Sequence, residues 1–378
     1  MKKTAPALCV FIASLTFMQI AVVAAPVAAA QTATPAAPAA PAAPQPGMRG
    51  DGPPPPPREF SITRSHADLD AIVAPDAKLE LLASGFGLNE GPVWVREGSG
   101  GYLLVSGLLD NVIYRIAEDK TVTVFLDKAG YSGTDIENVG AQTRSGRSHV
   151  LLIGPSCTGL DKQGRLIWCA DNDRTVMRLE NDGTRTVLAS GAGGKRFSGP
   201  NDISISSKDA IYLTDNDFGL RGAGRSPDKQ MENAVWLIRE GSEPKLLLTR
   251  AALGGIPNGV ALSNDERNLY LSAQSKLMRY DVMGDGTLGA GSLFAEGPAI
   301  GDGIKVDKSG NVFSTGGAGP GTVRVMSKDG RLLGMINLPV YGGEPKRQIC
   351  ATNVAFGGND GKSLYITACD AVYKVPLR

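Results

Sequence analysis

The sequence predicts an all-β chain folded as a six-bladed β-propeller, closed by an N-terminal strand that completes the last blade. Three observations carry this. Six units recur, each with an apolar inner strand, a turn, a second strand, a turn and a third strand. The 48 glycines go with few helix-like periods, the pattern of a turn-rich β chain. Five units continue into a fourth, outer strand, whereas the sixth stops at Arg378 without one, and Leu79-Glu-Leu-Leu-Ala83, upstream of the first unit, has the missing pattern. Pairing that segment with the last blade removes two open edges. A β-sandwich or an α/β fold would leave the sixfold count without a reason.

The N-terminus lies outside this fold. Lys2 and Lys3 precede an apolar stretch from Ala5 to Ala30, and Val27-Ala-Ala-Ala30 offers small-residue cleavage sites, the layout of a bacterial secretory signal peptide over residues 1–30. A membrane anchor is the rival reading of the same stretch. Cys9 sits inside the apolar run, too early for a lipoprotein cysteine. From Gln31 to Pro57 the chain is almost all Ala, Pro, Gly and Gln and ends in five consecutive prolines, with too little apolar side chain to build a core. The sequence thus predicts a disordered tether, taken to run to residue 75, ahead of a propeller over residues 76–378.

Within the propeller the second strands read Gly101–Ser106, Arg165–Ala170, Ala210–Asp215, Asn268–Ala273, Asn311–Thr315 and Ser363–Ala368. The third strands follow at short intervals: Val112–Ile116, Val176–Leu179, Val235–Ile238, Leu277–Tyr280, Val323–Met326 and Val372–Val375. Outer strands such as Thr121–Leu126 and Pro244–Thr249 complete four per blade, at spacings of roughly 40 to 60 residues. A longer insertion, Ser132 to Ile153, separates the first two units and is either a lid or a tolerated surface loop.

Charge and cysteines narrow the function classes. Loss of Lys2 and Lys3 from 39 basic residues leaves 37 against 38 acidic ones, so nothing electrostatic argues for nucleic acid, or for a membrane surface once the signal is cleaved. A small-molecule substrate is the expected partner. Four of the five cysteines survive cleavage. Cys157 and Cys169 are symmetric about the turn Lys162-Gln163-Gly164, and Cys350 and Cys369 about the loop Gly357–Lys362. Opposed residues on antiparallel strands stand at disulfide distance, so two hairpin disulfides are expected in a periplasmic or secreted protein, with buried free thiols as the alternative.

Four segments put an oxygen just ahead of an inner strand: Leu88-Asn-Glu-Gly-Pro-Val-Trp94, Gly199-Pro-Asn-Asp202, Ile256-Pro-Asn-Gly-Val260 and Ile300-Gly-Asp-Gly-Ile304. In a closed propeller Glu90, Asn201, Asn258 and Asp302 converge on one channel, and four convergent oxygens suit a hard divalent cation: calcium first, with magnesium, manganese or zinc as other candidates. Taken singly, each residue is also an ordinary turn residue or a solvated acid. Nucleophilic catalysis is poorly served, since there is no G-x-S-x-G elbow and only two histidines, His66 and His149, exist. Asp202, beside a ligand, would orient the first ligand sphere. Lys195 and Arg196, in a glycine-rich loop upstream of Asn201, could hold a carboxylate or hydroxyls, or be solvated surface.

These segments, together with Gly194-Lys-Arg-Phe-Ser-Gly-Pro-Asn-Asp202, Ile211-Tyr-Leu-Thr-Asp215 and Thr352-Asn-Val-Ala-Phe-Gly-Gly358, resemble the SMP-30/gluconolactonase/luciferin-regenerating-enzyme family from about Leu79 to the C-terminus. The resemblance implies six blades, an axial divalent cation, commonly calcium, and hydrolysis of sugar lactones. It implies that Glu90, Asn201 and Asp302 are metal ligands, that Asp302 is also the candidate base, and that Asn258 matches a position that is a ligand in some relatives such as phosphotriesterase-type propellers. Three departures bear on substrate: Thr158 stands where lactonase-like members often have an Asn that meets substrate, Asp171-Asn-Asp-Arg174 replaces a His-Gly-type turn, and Asp215-Asn216 replaces Asp-Pro. The expectation is an exported metal-dependent lactonase; a phosphotriesterase-like hydrolase and a non-catalytic binding propeller with structural calcium are the alternatives.

Overall fold

A computed structural model describes residues 57–136, 138–145, 148–318, 321–340 and 350–378. The expected signal peptide over 1–30 and the expected tether as far as residue 56 lie outside the described residues. The rest is an all-β, propeller-like arrangement of antiparallel sheets. Three sheets have four strands each, built in chain order from Thr158–Leu160 to Arg185–Ala189, from Pro200–Ile205 to Lys245–Thr249, and from Pro257–Leu262 to Leu288–Glu296. A fourth sheet runs from Ile304–Val306 outward to Leu332–Asn337 and carries Ser61–Arg64 on its edge. A fifth sheet has six strands, Asn353–Gly357, Ser363–Pro376, Glu80–Glu97, Gly100–Gly107, Val112–Ala117 and Val122–Leu126, and three two-stranded ribbons complete the described residues.

The long strand Glu80–Glu97 explains that size. Its first part pairs with the last strand, Glu80 opposite Lys374 and Ser84 opposite Ala371; its second part pairs with the next strand, Glu90 opposite Ser106 and Glu97 opposite Gly100. The Leu79–Ala83 segment therefore does lie against the C-terminal strand.

Apolar side chains fill the spaces between successive sheets because neighbours along a strand point to opposite faces. Leu213 packs with Ile167, Cys169 and Trp236 on one side, while Tyr212 packs with Val235, Leu269 and Leu271 on the other. Each such fully buried side chain contributes about 1.5–3 kcal/mol. The inner strands follow one another around the centre: Pro200–Ile205 touches Pro257–Leu262, which touches Ile304–Val306, then Asn353–Gly357, then Glu80–Glu97, then Thr158–Leu160, which returns to Pro200–Ile205.

Structure begins earlier than the sequence predicts, within the residues 58–75 assigned to the tether. Arg58 exchanges backbone hydrogen bonds with Val340, Ser61–Arg64 pairs with Leu332–Asn337, and a 3₁₀ turn Ala67–Ala71 follows, capped by the His66 ring accepting from the Asp68 amide. Leu69 and Val73 are fully buried beside Val323 and Leu333. Phe60, Ile62, Leu69, Ile72 and Val73 supply apolar surface that the Ala/Pro stretch lacks, so residues 58–75 pack with the sheets.

Both expected disulfides are present, Cys157–Cys169 with Cα atoms 5.0 Å apart and Cys350–Cys369 at 5.5 Å. The insertion after Ser132 forms a hairpin, Ala141–Ser145 with Ser148–Leu152. Its ends are tied down: the Ser132 amide donates to Asp173, Asn172 donates to the Leu152 carbonyl, and Arg221 donates to Asn138. No helix among the described residues is long and apolar enough to cross a membrane.

Candidate active site

Glu90, Thr158, Asn201, Asn258, Asp302 and Thr352 each open an inner strand at the same place in the repeat. Two of these positions are closed by the protein itself. The Thr158 hydroxyl donates to the Gly91 carbonyl and the Thr352 hydroxyl to the Asn89 carbonyl at 2.9 Å, so the residues on either side of Glu90 are held from two sides. The strand bulges there, between Glu90 and Val93. Gly91 is required at the bulge: its φ is +51°, and a Cβ would lie 2.5 Å from the Ser156 carbonyl oxygen. The arrangement fixes the direction in which Glu90 points.

Beneath Glu90 lies a polar network. Asn353 donates to Glu90 Oε1 at 2.8 Å, Lys305 reaches Asn353 Oδ1 at 3.4 Å and Asp202 Oδ2 at 3.9 Å, and Asp202 accepts from the amides of Ile203 at 2.9 Å and Val260 at 3.3 Å. Gly303 makes room for Asn353, whose amide would meet any Cβ there at 2.1 Å. Burial, and then the charge of Asp202, push the Glu90 carboxyl up to about 7, against hydrogen bonds from Asn353 and Thr352. Burial likewise raises Asp202, opposed by Lys305. Two carboxylates thus share one region with a single ammonium between them, a charge balance that a bound cation would improve.

Asn201 and Asn258 differ from these. Asn201 Oδ1 is buried with no hydrogen-bond partner among the described residues, and the Asn258 side chain makes no hydrogen bond there either. A buried amide oxygen without a donor costs about 1–3 kcal/mol unless something else satisfies it. Asp302 is 7% exposed; its amide donates to the Thr315 carbonyl, and its carbonyl accepts from Ser272 and sits against Gly259, next to Asn258. Among the described residues no group of three or more His, Cys, Asp or Glu side chains forms a metal cage. The four candidates named from sequence are of mixed type, two carboxylates and two amides, all hard oxygen.

The remaining sequence candidates fall outside this cluster. Lys195 and Arg196 are exposed, on a short ribbon with Gly191–Ala192, and the Arg196 side chain and amide bond the Asp173 carbonyl and Gln230. Thr158 is on the axis, but its hydroxyl proton is engaged with Gly91 and not directed at an open space. His66 caps the N-terminal turn beside Asp68 and Arg331. A cavity of about 410 Å³ lies at the other end of the inner strands, lined by Trp94, Arg96, Leu160, Lys308 and Phe356, away from the open oxygens.

Comparison with known proteins decides the family. The model of the SMP-30/gluconolactonase/LRE-like region matches residues 88–370. The chain belongs to this family. A gluconolactonase of Zymomonas mobilis is 32% identical over 330 residues, 83% of this chain and 85% of that protein. A pentonolactonase of Haloferax volcanii is 33% identical over 119 residues, 30% of this chain and 38% of its own length. The structure of a Xanthomonas campestris gluconolactonase superposes with a TM-score of 0.67 at 26% identity, covering 87% of this chain and 99% of that one.

Sequence reasoning missed Lys305, Thr352 and Asn353 as members of the cluster. The signal was present: Thr352-Asn353 stands in the last unit where Asn201-Asp202 stands in the third, and Lys305 follows Asp302 by three residues. What could not be read was which way each side chain turns once the strand is bulged.

Proposed function

We propose that this family member is an exported, metal-dependent lactonase of the sugar-lactone type, with one divalent cation, calcium by preference, held by Glu90, Asn201, Asn258 and Asp302. The observation that carries the reading is the partnerless buried oxygen of Asn201 beside a crowded carboxylate pair, in a chain similar over most of its length to a gluconolactonase. The six-stranded sheet is read as two blades joined through Glu80–Glu97, which makes six blades with the ring closed by the N-terminal strand; the circular succession of inner strands supports this. Residues 1–30 are read as the export signal, which places the protein in the periplasm or outside the cell, where its disulfides persist.

A bound cation would polarise the lactone carbonyl and lower the pKa of a coordinated water. The chain's own residues do the rest. Asp302 takes a proton as water adds to the carbonyl carbon. Thr158 and Thr352 keep Glu90 aimed at the axis, Asp202 and Asn353 brace the ligand-bearing strands, and Lys195 and Arg196 stand at the rim where hydroxyls of a sugar would pass. The test is hydrolysis of sugar, aliphatic and homoserine lactones by pH-stat, with metal and with chelator. Hydrolysis that disappears with chelator while the fold persists supports the reading. A folded, metal-loaded protein that opens none of them overturns it, and a phosphotriester panel, then ligand binding without turnover, come next.

A further inference from the structure

The polar network beneath Glu90 holds one ammonium, and the strand that carries it explains where it points. Ile304 and Val306 pack with Ala261, Tyr270 and Leu277 of the preceding sheet. Period-two alternation therefore turns Lys305 to the opposite face, where Asn353 stands. Asp202 and Asn353 occupy the same place in their repeats, and each folds one side-chain oxygen onto the amide that follows it, Ile203 and Val354, both at 2.9 Å. Lys305 Nζ lies between them, 3.4 Å from Asn353 Oδ1 and 3.9 Å from Asp202 Oδ2, and Asn353 Nδ2 in turn donates to Glu90 Oε1 at 2.8 Å.

One ammonium is thus joined to Asp202 directly and to Glu90 through a single amide. The Asp202 side chain is 5% exposed and that of Lys305 26%, and among the described residues no other Lys or Arg forms an ion pair with either carboxylate. Asp302 is the other acid among the four candidate ligands. Three acids then stand against one ammonium, and one divalent cation makes up the difference.

Resting on the single-cation reading above, we propose that Lys305 is a fixed countercharge of the channel, which keeps its acids compatible with the fold when the metal leaves and tunes the metal affinity downward by like-charge repulsion. Buried carboxylates without a cation are costly. An ammonium carried by the chain stays in place, whereas a calcium ion exchanges with solvent. The hydrogen bond of Lys305 goes to Asn353 and its ion pair to Asp202, neither of them a candidate ligand, so it acts on the ion through charge and through the aim of Glu90. The two routes differ in sign. Loss of a brace weakens calcium binding, and loss of a like charge strengthens it.

The test is a charge-compensation cycle in the full chain. Metal-stripped wild type, Lys305→Met, Asp202→Asn and the double variant are titrated with calcium by calorimetry, and the Tm of each is measured in calcium and in chelator. Lys305→Met, of similar length without the charge, should bind calcium about tenfold tighter and Asp202→Asn about tenfold more weakly, while the double variant, with the wild-type net charge, returns to within about threefold of wild type. In chelator Lys305→Met should melt several degrees lower, and the added Asp202→Asn should restore the Tm. Calcium binding that is unchanged or weaker in folded Lys305→Met overturns the proposal. If Lys305→Met folds only with calcium, the double variant is compared with Asp202→Asn alone and must bind calcium tighter by the same factor; equal or weaker binding overturns it. If wild type binds no calcium, the single-cation reading fails first, and the melts in chelator then test the countercharge by themselves: additive losses of Tm in the two single variants, with no recovery in the double, overturn it.

Discussion

The positions that open the inner strands divide into two kinds. At Thr158 and Thr352 the side chain is consumed by the protein: each hydroxyl donates to a carbonyl beside Glu90, and each lies just after a disulfide cysteine, Cys157 or Cys350. At Asn201 and Asn258 the same place in the repeat holds an amide with nothing to bind among the described residues. Closed positions stiffen the ring on both sides of one carboxylate, and open positions leave oxygens for a ligand. A repeat fold can therefore separate scaffold from site without changing its backbone, simply by exchanging a hydroxyl for an amide.

The harshest way to break the closed half is Gly91→Ala. It forces a side chain into φ +51° and against the Ser156 backbone, and should cost about 3 kcal/mol or more, read as a fall in Tm. Reducing the disulfides is next. They link residues 12 and 19 apart in sequence, worth at most about 3 kcal/mol each in the chain-entropy model, and their loss should weaken calcium binding as well as stability because each backs a clamping threonine. On the open half, Glu90→Gln and Asp302→Asn should each weaken calcium binding about 100-fold, about 2.7 kcal/mol, and Asn258→Ala by less than tenfold, because only the first two remove charge. Thr158→Val removes one hydrogen bond and should cost about 1 kcal/mol of stability, with a modest loss of metal affinity through Glu90.

The last effect is a pH dependence. Burial, and then the charge of Asp215, push the Asp171 carboxyl up to about 8 against an ordinary value of 3.8. Between these values the folded state binds more protons than the unfolded one, so this group makes stability fall as pH rises through that window. Asp171→Asn should therefore raise Tm more at pH 8 than at pH 5, measured by calorimetry.

Much of this was legible in the sequence. The repeat exposed the strands, because alternation and turn residues are local, and the cysteine symmetry exposed both disulfides. The position of Leu79–Ala83 against the last strand followed from a missing edge. The tether boundary was misjudged because Ser61–Arg64 is too short to stand out as a strand before its partner Leu332–Asn337 is known. Within the site, residue type and place in the repeat identified Glu90, Asn201, Asn258 and Asp302 as candidates. The roles of Lys305 and Asn353 depend on contacts across sheets some fifty residues or more apart in sequence, which no local pattern encodes.

The central claim is that the open oxygens hold one divalent cation. Calorimetric titration of calcium into metal-stripped protein tests it most directly, with Glu90→Gln, Asp302→Asn and Thr158→Val variants shown to be folded by circular dichroism. The account predicts one ion per chain in wild type, a loss of about 100-fold in affinity in both charge variants, and only a modest loss in Thr158→Val. Wild-type affinity in folded Glu90→Gln and Asp302→Asn, or no ion bound by wild type, would contradict it.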